Sequence, residues 1–596
     1  MKFTSPILLA TLSIVTTLPS TSLIAEEQEP IIVTATRTAQ TADETISPVI
    51  IIKRSELESN PNAAISDLLR SHAGIDIGRN GGPGQQTSIF IRGTESNHVL
   101  VMIDGVKINP ATIGAPAIQN IDLNMIERIE LVKGPRSTLY GSDAIGGVIN
   151  IITRNGIEGS HYTVNAGYGS FNTKTLGFSA NNKEGDRAAG ITVNATKSDG
   201  YAIRTSSALK RGYDNLNIHL YGKKRLGETD LKVSHWQASG KTEYLNFSLN
   251  PVDQDYINST TSLNIDNSFT NIWLSKIKLS RNVDEIKQNQ SADYAYTNRD
   301  VLDWQNDIQL SESQLLTAGI YSSIEKTQAS VYGTSFDKNT NINALFVQDD
   351  IDLGQHHVIA GYRYTHHDVF GSHNTGNVDY SWQLTPSTKL ILGIASGFRS
   401  PDSTDLYSSS GNPNLLPEES ENKEIAISYA INKQQTIRIN HFQNDIKNLI
   451  EYDSGTSKMQ NIAQARIKGT EIEYQYFTKQ WAIRAGAIIQ NPENKDTGIQ
   501  LSRRSKETYT FSINLHEENY TVGMNILQTG ERDNSAYDAV ILKSYTLANI
   551  NSTYHVGKNT LLNARIENVT DEKYELASTY RSPERSYYVG VEYNFE

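Results

Sequence analysis

From about residue 155 to the C-terminus the chain alternates apolar and polar residues in tract after tract, and this period of two constrains the fold more than any other feature. Tyr162 to Tyr168, Leu176 to Ala180, Ile191 to Ala195 and Leu216 to Leu220 each present one apolar face. In the last tract Leu216, Ile218 and Leu220 point one way and Asn217 and His219 the other. Connections differ in length: Lys183-Glu184-Gly185-Asp186 reads as a compact turn, and Gly240 to Ser262 as a long polar excursion. Short turns at one end and long loops at the other are the pattern of a transmembrane β-barrel. At about 20 residues per strand and connection, residues 155–596 accommodate roughly 22 antiparallel strands of about 9–11 residues each. A soluble solenoid or propeller is the alternative, and no fixed-period repeat supports it.

Composition narrows the class. Only 37% of the residues are hydrophobic, and no mature segment approaches the ~20 apolar residues of a spanning helix. The start reads as a secretion signal over residues 1–25: Met1-Lys2, an apolar run from Pro6 to Leu18, then small residues up to Ala25. An exported chain with 0 cysteines draws stability from neither disulfides nor thiolate-bound metal. A net charge of −12 without basic clusters opposes nucleic-acid binding. No nucleophile elbow of the Gly-x-Ser-x-Gly type is present, so an enzyme has no positive support.

Ahead of the barrel, residues 38–154 mix helix and strand. Ile65, Leu68 and Leu69 share a helical face behind Asn62, the expected cap. His98 to Ile103, the turn Asp104-Gly105 and Val106 to Ile108 read as a hairpin, and Ile126 to Val132 and Val148 to Ile152 as further strands. Before this domain, in residues 26–37, lies Ile31-Ile32-Val33-Thr34-Ala35-Thr36, an apolar β-prone segment. It suits addition to a partner's sheet edge, or a first strand within its own domain.

Four phrases of the first domain occur in the order of a known plug domain: Asn80 to Gly93, Val101 to Val106, Gly134 to Ser137 and Tyr140 to Ile152. The chain thereby resembles the TonB-dependent outer-membrane transporters, and its segment 31–36 is similar to their TonB box. Ser88 to Gly93, His98 to Val101, Gly411 to Glu418, Asn444 to Ile446, Ala465 to Gly469 and Asn568 to Tyr574 look like the cobalamin-transporting branch. Tyr588, Gly590, Tyr593 and Phe595 sit at the spacing of the terminal-strand assembly signal, here followed by Glu596. The resemblance implies a monomeric barrel in outer-membrane lipid, with the N-terminal mixed α/β domain inside the lumen. It also implies capture of cobalamin or a related corrinoid, and energy from TonB and its inner-membrane complex through Ile31 to Thr36. A receptor for ferric siderophores is the first alternative; a passive porin or adhesin would leave segment 31–36 and the inner domain without a use. The implied ligand contacts are Gln86, Ser88, Glu95, Ile113 and Gly114. Gln86 and Glu95 stand where the family more typically has an apolar residue and an amide.

The resemblance further implies calcium in the outer loops of some members. Here the second loop, Asp199 to Tyr213, nearly lacks carboxylates, and the third offers Asp253 and Asp255. Two carboxylates fall short of a six- to eight-oxygen cage, so no cofactor is required and calcium dependence is weak or absent. His356-His357 and His366-His367 are adjacent pairs whose members face opposite sides of a strand, which suits solvated or hydrogen-bonded histidines better than chelation. Tyr244, Tyr256, Tyr294 and Tyr332 are loop aromatics that suit stacking on a ligand.

Overall fold

The structure, a computed structural model, describes residues 32–33, 37, 40–41, 46, 48–60, 63–156, 158–462, 464–535 and 538–595. The signal segment 1–25, the box residues Ile31, Thr34, Ala35 and Thr36, the expected cap Asn62 and Glu596 lie outside these.

Twenty-two antiparallel strands close into a barrel, as the alternation requires. The first, Gly159–Gly169, pairs with the last, Ser586–Phe595, so no edge is left to seek a partner. Alternation sorts side chains: Asn217 and His219 are 3% and 1% exposed, whereas Leu216 and Leu220 are 40% and 41% exposed toward lipid. Connections on one rim are two or three residues long, including Gly185-Asp186; those on the other reach 18 residues at 400–417.

Two expectations about the barrel need correction. Strands run from 8 to 20 residues rather than 9–11, because many continue past the apolar band. For the same reason Gly240 to Ser262 is no excursion: Thr229–Leu245 and Pro251–Thr270 stay paired up to Leu245↔Pro251. Their polar side chains do not interrupt main-chain pairing, so hydropathy marks where lipid ends and not where the strand ends. In the last strand Tyr593 and Phe595 face outward at 42% and 47% exposure, and Tyr588 faces inward at 8%.

The N-terminal domain fills the lumen. Its five-stranded sheet has the order Val49–Lys53, Ile126–Lys133, Gly147–Thr153, Val99–Ile103, Val106–Lys107. Val99–Ile103 and Gly147–Thr153 pair in parallel, are buried on both faces, and accordingly read as unbroken apolar runs. The expected hairpin is present, with Asp104 and Gly105 at φ 49° and 75°, the left-handed pair that a two-residue turn demands. His98 belongs to the 3-10 turn Ser96–His98 ahead of the strand. Helix Ile65–Leu69 starts from Ala64, which makes no side-chain cap bond. One apolar cluster joins Ile52, Leu69, Val101, Ile129 and Ile151 of this domain to Tyr213, Trp236 and Tyr256 of the wall, so the two parts share a core.

Candidate functional site

Three turns of the inner domain rise toward the long-loop rim. The first, residues 80–86, joins strands Ile75–Arg79 and Thr87–Ile91. Gly84 has φ 73°, and a Cβ there would lie 2.0 Å from the Tyr213 ring, so both conformation and space require glycine. Gln85 Nε2 donates to Glu243 O at 2.7 Å, pinning the turn to the wall. Gln86 closes the turn, its backbone O accepting from Asn80 N at 3.1 Å and its side-chain Oε1 from Asn80 Nδ2 at 3.3 Å; its side chain is exposed, and Ser88 is half-buried.

The second turn, residues 92–97, carries Glu95. Its carboxylate accepts from Arg504 Nη2 of barrel loop 495–506 at 2.8 Å, and its backbone N–H donates to His98 Nδ1 at 3.2 Å. Ser96 Oγ accepts from Ile89 N at 3.1 Å, tying this turn to the first hairpin. The third turn, 109–117, is templated by the buried Asn109 amide: Nδ2 donates to Val99 O at 2.9 Å and Gly114 O at 2.8 Å, while Oδ1 accepts from Val101 N at 2.8 Å. A Cβ on Gly114 would meet Asn97 Cβ at 2.9 Å, so the second and third turns touch. Ile113 is 38% exposed and Gly114 buried. Of the five expected contacts, Gln86 and Ile113 are exposed, Ser88 and Glu95 are half-buried, and Gly114 serves the backbone.

Barrel loops fold inward onto these turns, and the sequence did not point to them. Ser403 N and Thr404 N donate to Ala111 O at 3.0 Å and Thr112 O at 2.9 Å, seating helix Ser403–Tyr407 on the third turn. Glu451, on hairpin strand Ile450–Asp453, faces the second turn; burial, then the Glu95 carboxylate, push its carboxyl up to about 7 against the opposing pull of Arg504.

Below the turns, buried charges seat the domain. Arg92 meets Glu424 Oε2 at 3.1 Å and Glu471 Oε2 at 2.7 Å, and Lys133 Nζ meets Glu471 at 3.1 Å and Glu473 at 2.9 Å. His98 Nε2 lies 2.9 Å from Glu418, which also holds Arg399 at 2.7 Å. On the opposite side a cavity of about 180 Å³ separates the domain from the wall, bounded by Leu57, Pro83, Phe171, Thr196, Asn563 and Gly590.

At the short-turn end, Ile32–Val33 pairs antiparallel with Gln40–Thr41. Within the connection Arg37, at φ 65°, forks onto Asp303 at 3.0 and 2.8 Å between the rings of Tyr140 and Phe346, 4.9 and 4.8 Å away. No local signal in the sequence links Arg37 to a residue 266 positions on.

The calcium candidates are already engaged. Asn289 Nδ2 donates to Asp253 and, at 3.2 Å, to Asp255; Gln290 Nε2 donates to Asp253 at 3.0 Å, and Lys241 Nζ stands 3.7 Å away. Among the described residues no group of three metal-ligating side chains occurs. His356 contacts the Tyr380 hydroxyl at 2.7 Å, and His357 contacts Asp350 at 2.5 Å. Of the loop tyrosines, Tyr332 is 71% exposed, whereas Tyr256 is 3% exposed and donates to Asp214 O, leaving it unavailable for stacking on a ligand.

Residues 153–569 match the family described as TonB dependent receptor-like, beta-barrel, and residues 41–148 match the TonB-dependent Receptor Plug Domain. The chain is a TonB-dependent receptor. It is thus an outer-membrane protein whose inner domain is the plug, and members of its family are transporters. Similar curated proteins include the Vitamin B12 transporter BtuB of Photobacterium profundum, 30% identical over 609 residues that cover 97% of this receptor and 98% of that protein. BtuB of Vibrio vulnificus strain YJ016 is also 30% identical, over 604 residues, with the same coverages. Similar solved structures include a mutant of the ferric enterobactin receptor PfeA of Pseudomonas aeruginosa, at TM-score 0.81 and 20% identity over 95% of this receptor and 100% of that chain. Another is the siderophore receptor PirA of Acinetobacter baumannii, at TM-score 0.79 and 18% identity over 92% and 98%. At those identities the structures speak for the fold alone.

Proposed function

We propose that this receptor takes up cobalamin across the outer membrane, with energy delivered by TonB to residues 31–36. The observation that carries the reading is the near end-to-end likeness to proteins named as vitamin B12 transporters, at 30% identity. The upper turns agree with it. Their most exposed side chains, Gln86 and Ile113, are uncharged, which suits an amide-rimmed macrocycle approached by polar and apolar contacts in combination. An anionic iron chelate would call for a cationic cup. Ser88, Glu95 and the backbone around Gly114 complete the proposed contact set.

The second reading, a siderophore receptor, draws on the basic stretch Arg204, Lys210 and Arg211 at the rim. Purified receptor titrated with cyanocobalamin, with ferric enterobactin as competitor, separates the two. Saturable cyanocobalamin binding that the iron chelate does not displace supports the first reading. The reverse result replaces it.

Coupling follows from the lower end. Two-residue pairing of Ile32–Val33 is a weak hold that a partner strand can replace with a longer ladder. Among the described residues, the Arg37–Asp303 fork with its aromatic sandwich, and Gln305 Nε2 donating to Arg37 O at 3.2 Å, fasten this segment to the wall. Val33→Pro removes a donor and fixes φ, so it abolishes energised uptake while leaving cyanocobalamin affinity within about twofold. Uptake at the parental rate in Val33→Pro cells overturns the coupling step. The carboxylates of Asp253 and Asp255, held by amides and a lysine, need no calcium in this scheme.

A further inference from the structure

Loop 203–209, between strands Arg187–Ala202 and Lys210–Leu226, is bound to loop 568–585, which precedes the last strand. Arg581 is the centre of this clasp. Its Nη1 donates to Ala202 O at 3.4 Å and Ser207 O at 3.3 Å, and its Nη2 to Thr205 O at 3.0 Å. Its backbone N–H donates to Ile203 O at 2.9 Å, and its carbonyl accepts from the Tyr201 hydroxyl at 3.2 Å. Beside it Arg204 lies 4.0 Å over the Tyr580 ring and donates to Thr579 Oγ1 at 2.7 Å. Thr579 also gives its carbonyl to Thr205 N at 2.9 Å and holds φ at 68°, a left-handed conformation that a β-branched residue adopts only when its surroundings impose it.

The residues gripped by Arg581 are those that press on the first upper turn of the plug. A Cβ on Gly81 would lie 2.9 Å from Ile203 Cβ, and one on Gly82 3.2 Å from the Tyr201 ring. The turn that carries Gln86 thus leans on Tyr201 and Ile203; the Arg581 main chain bonds to these two, and its guanidinium holds the carbonyls of Ala202, Thr205 and Ser207 that flank them. A planar five-donor fork meets three carbonyls at fixed angles; an ammonium on a flexible stem does not. Phe171, 4.9 Å from Tyr201, and Pro583 continue the same surface over the cavity beside the plug.

We propose that Arg581 is a positioning residue for ligand capture: through Tyr201 and Ile203 it fixes where turn 80–86 presents Gln86. The proposal rests on the reading that this turn contacts the ligand. Its test uses the full-length receptor, whose lack of cysteine allows a nitroxide at Gln86→Cys as a sole label. Arg581→Ala in the labelled protein is expected to broaden the motion of the probe, and in the unlabelled protein to weaken cyanocobalamin binding about tenfold, chiefly through faster dissociation. Arg581→Lys is expected to behave like the alanine variant. Arg585→Ala is the control, because Arg585 bonds to Val569 O within its own loop at 2.8 Å; it is expected to change neither readout. An unchanged probe spectrum in Arg581→Ala, or full rescue by lysine, overturns the proposal. If the parent fails to bind cyanocobalamin, the ligand assignment falls, and the spectrum at position 86, which needs no ligand, still decides the role of Arg581.

Discussion

The plug face turned toward strands 418–494 and the face turned toward strands 159–226 and 545–595 are fastened by different chemistry. On the first, Arg92 and Lys133 are buried against Glu424, Glu471 and Glu473, and His98 against Glu418. On the second, amides do the fastening: Asn215 and Asn217 each donate to Asn120 O at 3.0 Å, Asn194 donates to Asp122, and Asn551 Nδ2 donates to Asn60 Oδ1 at 3.2 Å. The cavity lies on this second side. Breaking a buried ion pair leaves a charge without compensation, whereas a neutral hydrogen bond is exchanged for water at little net cost. The plug is therefore registered by buried charge on one face and held by amides and the shared apolar cluster around Tyr213 on the other.

Removing the hub of the charged face should have the largest effect. Glu471→Ala deprives Arg92 and Lys133 of a shared carboxylate and is expected to lower the opening free energy of strand Ile126–Lys133 by about 3 kcal/mol, read by hydrogen exchange. Asn551→Ala on the opposite face is expected to cost about 1 kcal/mol by the same measurement on helix Ile65–Leu69. Equal losses in the two variants would erase the distinction between the faces.

The two faces also differ in how far sequence could reveal them. Alternation at Leu216 to Leu220 told which side chains enter the lumen, and Asp104-Gly105 told where a hairpin turns, because both are local demands of backbone geometry. The partners of Arg92 sit 332 and 379 residues away, and that of Glu95 409 away; no periodicity records which buried arginine meets which glutamate. Gly240 to Ser262 misled for a related reason. Polar residues in sequence resemble a loop, but in a barrel that outgrows its membrane the hydrogen-bond ladder carries on through them. Gln86 and Ile113 are legible as residues of exposed turns; the loops that close on the neighbouring turns, with Arg504 and Ser403, are not.

The smallest effect tests whether the charged side is also responsive to protons at its upper end. Glu451 faces Glu95, Arg504 and Glu418; burial first, then Glu95, raise its carboxyl from an ordinary 4.5 to about 7. A raised carboxyl means that the docked loop binds the proton more tightly than the free loop. Its contribution to docking is therefore full below about pH 4.5 and is lost as pH climbs through about 7. Protease cleavage within 448–464 should accordingly quicken between about pH 6 and pH 8 in the parent. Glu451→Gln, which keeps the shape and cannot ionise, should cleave at one rate across that window. A parental rate that is flat with pH would place Glu451 in solvent and leave the upper end of this face indifferent to protons, while the plug's seating by Arg92 and Lys133 below would stand.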